Sequence, residues 1–204
     1  MDLTIRISGA QGEGVESMGR LLAYTFSSLG YYVFAYRQYA SIIKGNPAMF
    51  YQIRISSRRI YSHGNWRSYD ILVALNERAL STHRSGAKLV ISEKEVPMVD
   101  IALSDRIMKN TAAIRALAAL IGLDPEYLAK QIEKEYGDKG GKIVESNIAV
   151  LFDAYRYVQS KQSPVTEVKK INTPRVKMTG AEALAIGAVM SGMKFYAAYP
   201  SLAG

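Results

Sequence analysis

Three glycines near the start of the chain are the first residues whose type and spacing could do chemistry. Gly9, Gly12 and Gly14 lie between an apolar segment that predicts a strand, Leu3–Ser8, and a segment that predicts a helix. A helix that begins after such a turn can bind an anion, because its unpaired amides point at the ligand. We therefore predict that Gly9, Gln11 and Gly12 offer backbone amides to an anionic group.

Three basic residues could supply charge to the same anion: Arg37, Lys44 and Arg54. Arg37 follows the second predicted strand, where an NAD-binding fold places an acid against the ribose hydroxyls, so an arginine there favours a phosphorylated dinucleotide. The glycine spacing is not that of the dinucleotide fingerprint, and no Walker lysine follows the turn. The alternative that the glycines only permit a tight turn therefore stays open.

No arrangement of residues predicts a catalytic or metal-binding site within this chain. His63 and His83 stand apart from any carboxylate pattern and are predicted to be surface or turn histidines. Ser8 and Ser41 lack the partners of a catalytic triad. The absence of cysteine excludes a disulfide scaffold and a thiolate-bound zinc ion or iron–sulfur cluster held by these residues alone.

The elements that must position these residues alternate between strands and helices. Beyond Leu3–Ser8, strands are predicted at Tyr32–Tyr36, Met49–Ser56 paired with Arg59–Ser62, Ile71–Leu75, Lys88–Ser92 and Val99–Leu103. Helices are predicted from the glycine turn to Leu29, a short one from Asn76, and then at Thr111–Ile121, Pro125–Tyr136 and Lys142–Gln159. This alternation predicts an α/β fold over residues 1–160, a three-layer α/β/α domain with a mostly parallel sheet.

The remaining residues predict a linker and the start of a second domain. Residues 161–178 contain two prolines and little periodicity, so we interpret them as an interdomain linker. Residues 179–204 begin with Thr179 and Glu182, which are spaced as a capping box at the start of a helix.

That final helix has a face of small residues, Ala183, Gly187 and Ser191, and a strand is predicted after it at Lys194–Ala198. A helix and a strand of this kind need a surface that buries them. The sequence therefore predicts a truncated α/β domain, or a segment that docks onto another subunit.

The charge balance favours anionic partners. The chain has 26 basic and 18 acidic residues, which suits a phosphorylated small molecule, an acidic protein or nucleic acid. Nucleic acid ranks last, because the aromatic residues are not interleaved with basic ones such as Arg58 and Arg59 as a stacking platform requires. No apolar run approaches the ~18 residues of a membrane span and no signal peptide begins the chain, so we expect a cytoplasmic protein without membrane contact.

Four stretches, in this order, resemble the gamma subunit or domain of the 2-oxoacid:ferredoxin oxidoreductases, the pyruvate, 2-oxoglutarate and indolepyruvate enzymes. They are Ile7–Gly12, Tyr39–Gly45 with the arginine-bearing strand Gln52–Ser56, Asp70–Asn76, and Asn110 with Ala118–Gly122. Residues from Thr179 to Pro200 are similar to the start of the alpha region, which is fused behind gamma in many members. Lys44 stands where the family has a loop arginine, and Leu202 where it has a threonine near the substrate.

The resemblance implies a gamma component of an enzyme that oxidatively decarboxylates a 2-oxoacid, passes electrons to ferredoxin and releases an acyl-coenzyme A. It implies thiamine diphosphate, magnesium, iron–sulfur clusters and coenzyme A for the whole complex, and none of them held by this chain alone. Its partners would be the alpha and beta regions or subunits in an oligomer, with ferredoxin contacted indirectly. The alternative from the residues is a stand-alone module that binds a phosphorylated dinucleotide.

Overall fold

A computed structural model describes residues 1–39, 48–64, 66–101, 106–136, 154–161 and 163–197. Its five strands are β1 (Asp2–Gly9), β2 (Tyr32–Gln38), β3 (Met49–Ser56), β4 (Tyr69–Ala74) and β5 (Ala87–Ile91). Lys44, Ile143 and Leu202 lie outside the described residues.

The strands form one mixed sheet in the order β2-β3-β1-β4-β5. β1, β4 and β5 pair in parallel, whereas β3 is inserted antiparallel between β1 and β2. Four of the five strands thus run the same way, which confirms the predicted α/β class and its mostly parallel sheet. The pairing of Met49–Ser56 with a strand at Arg59–Ser62 is wrong, because both edges of β3 are already taken by β1 and β2.

The described helices are α1 (Val15–Ser28), α2 (Glu77–His83), α3 (Met98–Ile101), α4 (Arg106–Leu120), α5 (Pro125–Tyr136), residues 154–161 as α6, and α7 (Gly180–Met190). A turn of 3-10 helix, Arg84–Gly86, follows α2. The strand predicted at Val99–Leu103 is wrong for residues 99–101, the part that the structure describes, since α3 occupies them. A short apolar run does not separate a strand from a buried helix by periodicity, and Pro97 directly before Met98 favours a helix start.

The main core lies between one face of the sheet and a helical layer. Ile5 and Ile7 of β1 and Ile53 of β3 are fully buried there. α1 supplies its predicted stripe, including Met18 and Leu22, and α4, α5 and α6 complete the layer. Burial of this kind contributes about 25 cal/mol for each Å² of apolar surface removed from water, so this layer holds α1 against the sheet.

The opposite face of the sheet is covered in two different ways. α2 packs against β4 and β5, where Leu72, Ala74 and Ala79 form a second, smaller apolar cluster. Over β1, β2 and β3 the cover is formed by residues 57–64 and 66–68, which contain no helix or strand and whose Ile60 is buried. The second layer is therefore part helix and part loop.

Residues 163–177, which we name the strap, contain no helix or strand but lie against the first domain. The amides of Val165 and Val168 donate to the carbonyls of Leu120 and Gly122, at 2.8 and 3.3 Å. Val168 is buried and forms a parallel bridge with Leu123. The strap thus contributes to the core even though its sequence has no periodicity.

The end of the strap contacts the turn between α1 and β2. The amides of Ile171 and Arg175 donate to the carbonyls of Leu29 and Ser27, at 2.9 and 2.8 Å. Arg175 Nε donates to the Gly30 carbonyl at 2.7 Å, and its guanidinium lies 3.7 Å from the centre of the Tyr32 ring.

α7 begins as predicted. The Thr179 hydroxyl accepts from the Glu182 amide at 3.2 Å, and the Glu182 carboxylate accepts from the Thr179 amide at 2.6 Å. Every residue of the helix except Ala188 is exposed. Residues 194–197 form no strand, so that prediction is wrong for the part the structure describes: a strand needs a ladder partner, and none of the described strands lies beside them.

Candidate functional site

The predicted anion-binding turn lies at the carboxyl ends of β1 and β4. The chain leaves β1 toward β2 on one side and later returns to β4 on the other, so this crevice is the point where the direction of winding reverses. Ligands of open α/β sheets bind in such a crevice. The turn has the required conformation: Gly12 and Gly14 have φ values of 85° and 77°, a region that side-chain-bearing residues rarely adopt.

The carboxylate of Glu13 already fills this crevice. Its Oε2 accepts from the Ala10 amide at 2.7 Å and from the Asn76 side-chain amide at 2.6 Å. A Cβ atom on Gly9 would lie 2.8 Å from the same oxygen, so the absence of a side chain at Gly9 makes room for Glu13. One amide of the turn, that of Ala10, therefore donates to a carboxylate of the protein itself.

Helices α2 and α4 hold the turn from the other side. Asn76 caps α2 as predicted, with its Oδ1 accepting from the Ala79 amide at 2.8 Å. Asn110 of α4 donates to the Glu13 carbonyl at 2.9 Å, and Lys109 donates to the Leu75 carbonyl at 2.9 Å. Sequence reasoning assigned no role to Glu13 or Lys109. The sequence signal for Glu13 was its position three residues after Ala10, whose amide donates to its carboxylate.

The other predicted site residues are only partly brought together. Gln11 and Gly12 are exposed at the tip of the turn. Arg37, at the end of β2, forms an ion pair with Glu16 in the first turn of α1 and lies 5.3 Å from the centre of the Tyr39 ring. Arg37 is thus near the turn, but its guanidinium is already paired with the Glu16 carboxylate.

Arg54 lies at the opposite end of the sheet. The β1–β3 register pairs Met49 with Gly9 and Arg54 with Thr4, so Arg54 is five residues from the turn along β3, or about 17 Å. It donates to both carboxylate oxygens of Asp2, at 2.9 and 2.7 Å. The structure does not bring Arg54 to the glycine turn, and Lys44 is outside the described residues.

A second polar cluster is buried behind the sheet and was not predicted. Arg6 of β1 lies between the rings of Phe50 and Tyr69, at 4.1 and 4.2 Å from their centres. Its Nε donates to Gln52 at 2.9 Å, and its Nη1 faces Nδ1 of His83 at 3.2 Å. Aromatic faces and neutral acceptors thus contribute to stabilising the guanidinium.

His83 is buried in this cluster, which corrects its prediction as a surface or turn histidine; His63 is exposed. Burial, together with the nearby charge of Arg6, lowers the pKa of His83 to about 4. Its imidazole is therefore neutral at pH 7 and can accept the Arg6 hydrogen bond. Its Cα belongs to the end of α2, where a helical face turned toward the sheet buries it.

Among the described residues, no group of three or more histidine, aspartate or glutamate side chains is placed to hold a metal ion. No described helix combines the length and apolar character that crossing a bilayer would need.

Comparison with known proteins places the chain in a family. Residues 4–157 match the model of the pyruvate ferredoxin/flavodoxin oxidoreductase family. Over 98% of its length the chain is 24% identical to the alpha subunit of 2-oxoacid:ferredoxin oxidoreductase 1 of Sulfurisphaera tokodaii, of which it spans 40%. Over 78% of its length it is 27% identical to pyruvate synthase subunit PorC of Thermotoga maritima, of which it covers 95%.

Solved structures agree in fold. A 2-oxoglutarate:ferredoxin oxidoreductase from Magnetococcus marinus, solved with 2-oxoglutarate, coenzyme A and succinyl-CoA bound, superposes with a TM-score of 0.84 at 23% identity. That superposition covers 98% of this chain and 39% of the other. The gamma subunit of a keto/oxoacid ferredoxin oxidoreductase from Geobacter sulfurreducens superposes with a TM-score of 0.59 at 18% identity, over 78% of this chain and 99% of the other.

The two kinds of relative fit together. The PorC and gamma-subunit relatives match about three quarters of the chain, whereas the alpha subunit of Sulfurisphaera tokodaii matches nearly all of it and is more than twice as long. This is the pattern of a gamma domain followed by the start of an alpha domain, as the resemblance of the sequence implied. The chain belongs to the pyruvate ferredoxin/flavodoxin oxidoreductase family.

Proposed function

We propose that this chain is the gamma component of a 2-oxoacid:ferredoxin oxidoreductase that depends on thiamine diphosphate and iron–sulfur clusters. It supports the oxidative decarboxylation of a 2-oxoacid to an acyl-coenzyme A, in the cytoplasm. The observation that carries the proposal is α7: a capped, apolar helix that follows a domain of this family and is exposed along its length. Soluble monomers rarely leave so large an apolar surface exposed, and the chain spans 40% of the length of its Sulfurisphaera tokodaii relative.

The composition of this chain does not fit an iron–sulfur cluster. Its sequence has no cysteine, so it cannot supply thiolates to an iron–sulfur cluster. Nor does the described part of the chain offer a carboxylate cluster for magnesium. We propose that these groups bind to the alpha and beta regions or subunits, and that ferredoxin is reached through them.

For coenzyme A, the residues near the turn fit in part. The Glu13 carboxylate accepts from the Ala10 amide. Gln11 and Gly12 are exposed, and Arg37 lies nearby. A phosphate role for Gly9, Gln11, Gly12, Arg37, Lys44 and Arg54 stays a prediction. Within that set, the position of Arg54 beside Asp2 argues for a role elsewhere.

The test is reconstitution. We expect the purified chain alone to oxidise no 2-oxoacid. Combined with the alpha- and beta-type regions or subunits, the chain should reduce ferredoxin when a 2-oxoacid and coenzyme A are added. Turnover by the isolated chain above the buffer rate, or an assembled complex inactive with pyruvate, 2-oxoglutarate and indolepyruvate, would contradict the proposal.

Calorimetry separates this function from a stand-alone dinucleotide module. We expect no tight binding of NADPH, because the crevice contains Glu13 and the charge of Arg37 is engaged by Glu16. Tight NADPH binding without any effect of coenzyme A would favour the module instead.

A further inference from the structure

The segment 57–68, which we name the arginine loop, has no regular secondary structure at its described residues, 57–64 and 66–68, and is held at three points. At its start, the Ser57 amide donates to the Met1 carbonyl at 3.0 Å. In its middle, Ile60 is buried. Near its end, the buried Arg6 donates from Nη2 to the Trp66 carbonyl at 2.8 Å.

Aromatic contacts fix the same loop to the sheet. Phe34 of β2 lies against His63 and Trp66, with ring centres 4.8 and 5.9 Å apart. Arg54 of β3 stacks at 5.3 Å from the centre of the Trp66 ring. A loop anchored in this way loses little conformational entropy when it binds a partner.

The loop exposes arginine side chains and one tyrosine ring to solvent. Arg58, Arg59 and Arg67 are exposed, and Tyr61 is 81% exposed beneath Arg59, whose guanidinium is 5.5 Å from its ring centre. Residues 57–68 contain no aspartate, glutamate or lysine. Among the described ion pairs, none involves these three arginines, whereas Arg37 and Arg54 each have a carboxylate partner.

We propose that the arginine loop docks onto a carboxylate-bearing surface of the beta-type subunit. This inference rests on the proposed function, which supplies the second chain. Guanidinium groups bind carboxylates through two parallel hydrogen bonds, and arginine with tyrosine is the composition of interface hot spots. Charges also steer a separately folded chain to its place and set its register, a task that the apolar surface of α7 cannot perform.

The same loop is poorly suited to RNA. Single-stranded nucleic acid needs several free aromatic faces on which bases stack. Here Trp66 and Phe34 pack edge to face, Arg54 stacks on Trp66, and Tyr61 alone presents an exposed ring within the described part of the loop. The exposed guanidiniums therefore suit carboxylates on a protein better than a stacked strand.

The experiment compares the wild-type protein with the variant R58Q/R59Q/R67Q. Its control, K130Q/K161Q/K170Q, removes the same charge from three exposed lysines outside the loop. The dissociation constant for the purified beta-type subunit is measured by calorimetry at physiological ionic strength and at 1 M salt, where the Debye length falls from about 8 to about 3 Å. We expect the loop variant to bind about tenfold or more weakly at physiological salt, with the difference shrinking at 1 M, and the control to bind like the wild type.

A second variant, R58K/R59K/R67K, keeps the charge but removes the planar fork, and should fall between the wild type and the glutamine variant. If the wild type does not bind the beta-type subunit at all, the proposed function fails and this inference with it. If the wild type binds and the loop variant binds equally well, only the inference is overturned. Binding of a labelled single-stranded RNA that is tighter than that of the subunit, and lost in the loop variant, would also overturn it.

Discussion

Glu13 shows how one side chain can decide what a turn does. Its carboxylate lies where an open α/β sheet would receive a ligand, and it bridges the Ala10 amide of the turn to the Asn76 amide that precedes α2. The glycines around it are needed for this contact, since a side chain at Gly9 would displace the carboxylate. One amide of the turn, that of Ala10, thus binds an internal carboxylate, while anion binding by Gly9, Gln11 and Gly12 stays a prediction.

We predict that Glu13→Ala lowers the free energy of unfolding by about 1–3 kcal/mol, because two partly buried amide donors lose their acceptor. Glu16→Ala is the matched control: it removes an ion pair at the surface and should cost less than about 1 kcal/mol. Urea unfolding of both variants measures the difference. Equal losses would show that the Glu13 contacts contribute no more than a surface pair.

The buried His83 gives the protein a defined acid sensitivity. Its pKa is about 4 in the folded state and about 6.5 when unfolded, so between these values the unfolded chain binds the extra proton. Stability should therefore rise with pH from 4 to 6.5 and be lost as the pH falls through that window, by at most about 3 kcal/mol from this residue.

His83→Gln should flatten the pH dependence of the unfolding free energy between pH 4 and 6.5, whereas His63→Gln, at an exposed position, should leave it unchanged. Denaturant unfolding at several pH values provides the measurement. If the unfolding free energy of His83→Gln depends on pH as steeply as that of the wild type, carboxylates and not this imidazole cause the loss of stability in acid.

At the scale of elements, the strap is the feature that sequence patterns describe least well. Residues 163–177 have no periodicity, but their backbone closes onto α1 and α4, and Gly30 and Gly122 leave room for it. A Cβ on Gly30 would lie 2.7 Å from the Asn172 amide nitrogen, and one on Gly122 would lie 2.6 Å from the Thr166 carbonyl oxygen.

We predict that Arg175→Ala releases the end of the strap without unfolding the domain, because it removes a charged hydrogen bond to Gly30 and the contact with Tyr32. The loss should be about 1.5–3 kcal/mol locally. Hydrogen exchange of the Ile171 amide should then accelerate by more than tenfold, while amides of β1 keep their protection. Lys170→Ala, at an exposed neighbour, is the control, and equal exchange in both variants would refute the role of Arg175.

The sequence was a good guide wherever the cause is local. The stripe of α1, the capping box of Thr179 and Glu182, and the apolar run of β4 each depend on neighbouring residues, and the structure confirms all three. The antiparallel insertion of β3 and the pairing of Arg6 with His83 depend on residues far apart in the chain. No periodicity encodes such contacts, which is why the strand at Arg59–Ser62 was wrong and the buried cluster was missed.

At the scale of the whole molecule, one exposed helix stands out from a well-packed domain. Leu184, Val189 and Met190 are 76%, 66% and 84% exposed on α7, and Phe195 just after it is 83% exposed. Together they form an apolar surface of a kind that soluble monomers rarely leave open.

We predict that the isolated chain associates with itself through α7 and that L184E/V189E suppresses this, because charge on both sides of the helix opposes burial. Sedimentation velocity over a range of concentrations should give a concentration-dependent size for the wild type and a monomer for the variant. V165E, at a half-exposed position in the strap, is the matched control. A wild type that stays monomeric at all concentrations would contradict the prediction.

The strap also determines how far α7 can travel. Lys177 lies 4.2 Å from the centre of the Tyr24 ring on α1, and only Met178 stands between it and the cap residue Thr179. So short a tether confines the helix to a small volume beside the domain. A partner that binds the domain therefore finds α7 nearby at a high effective concentration. If it binds both, its overall affinity increases through avidity, although no further contact is added.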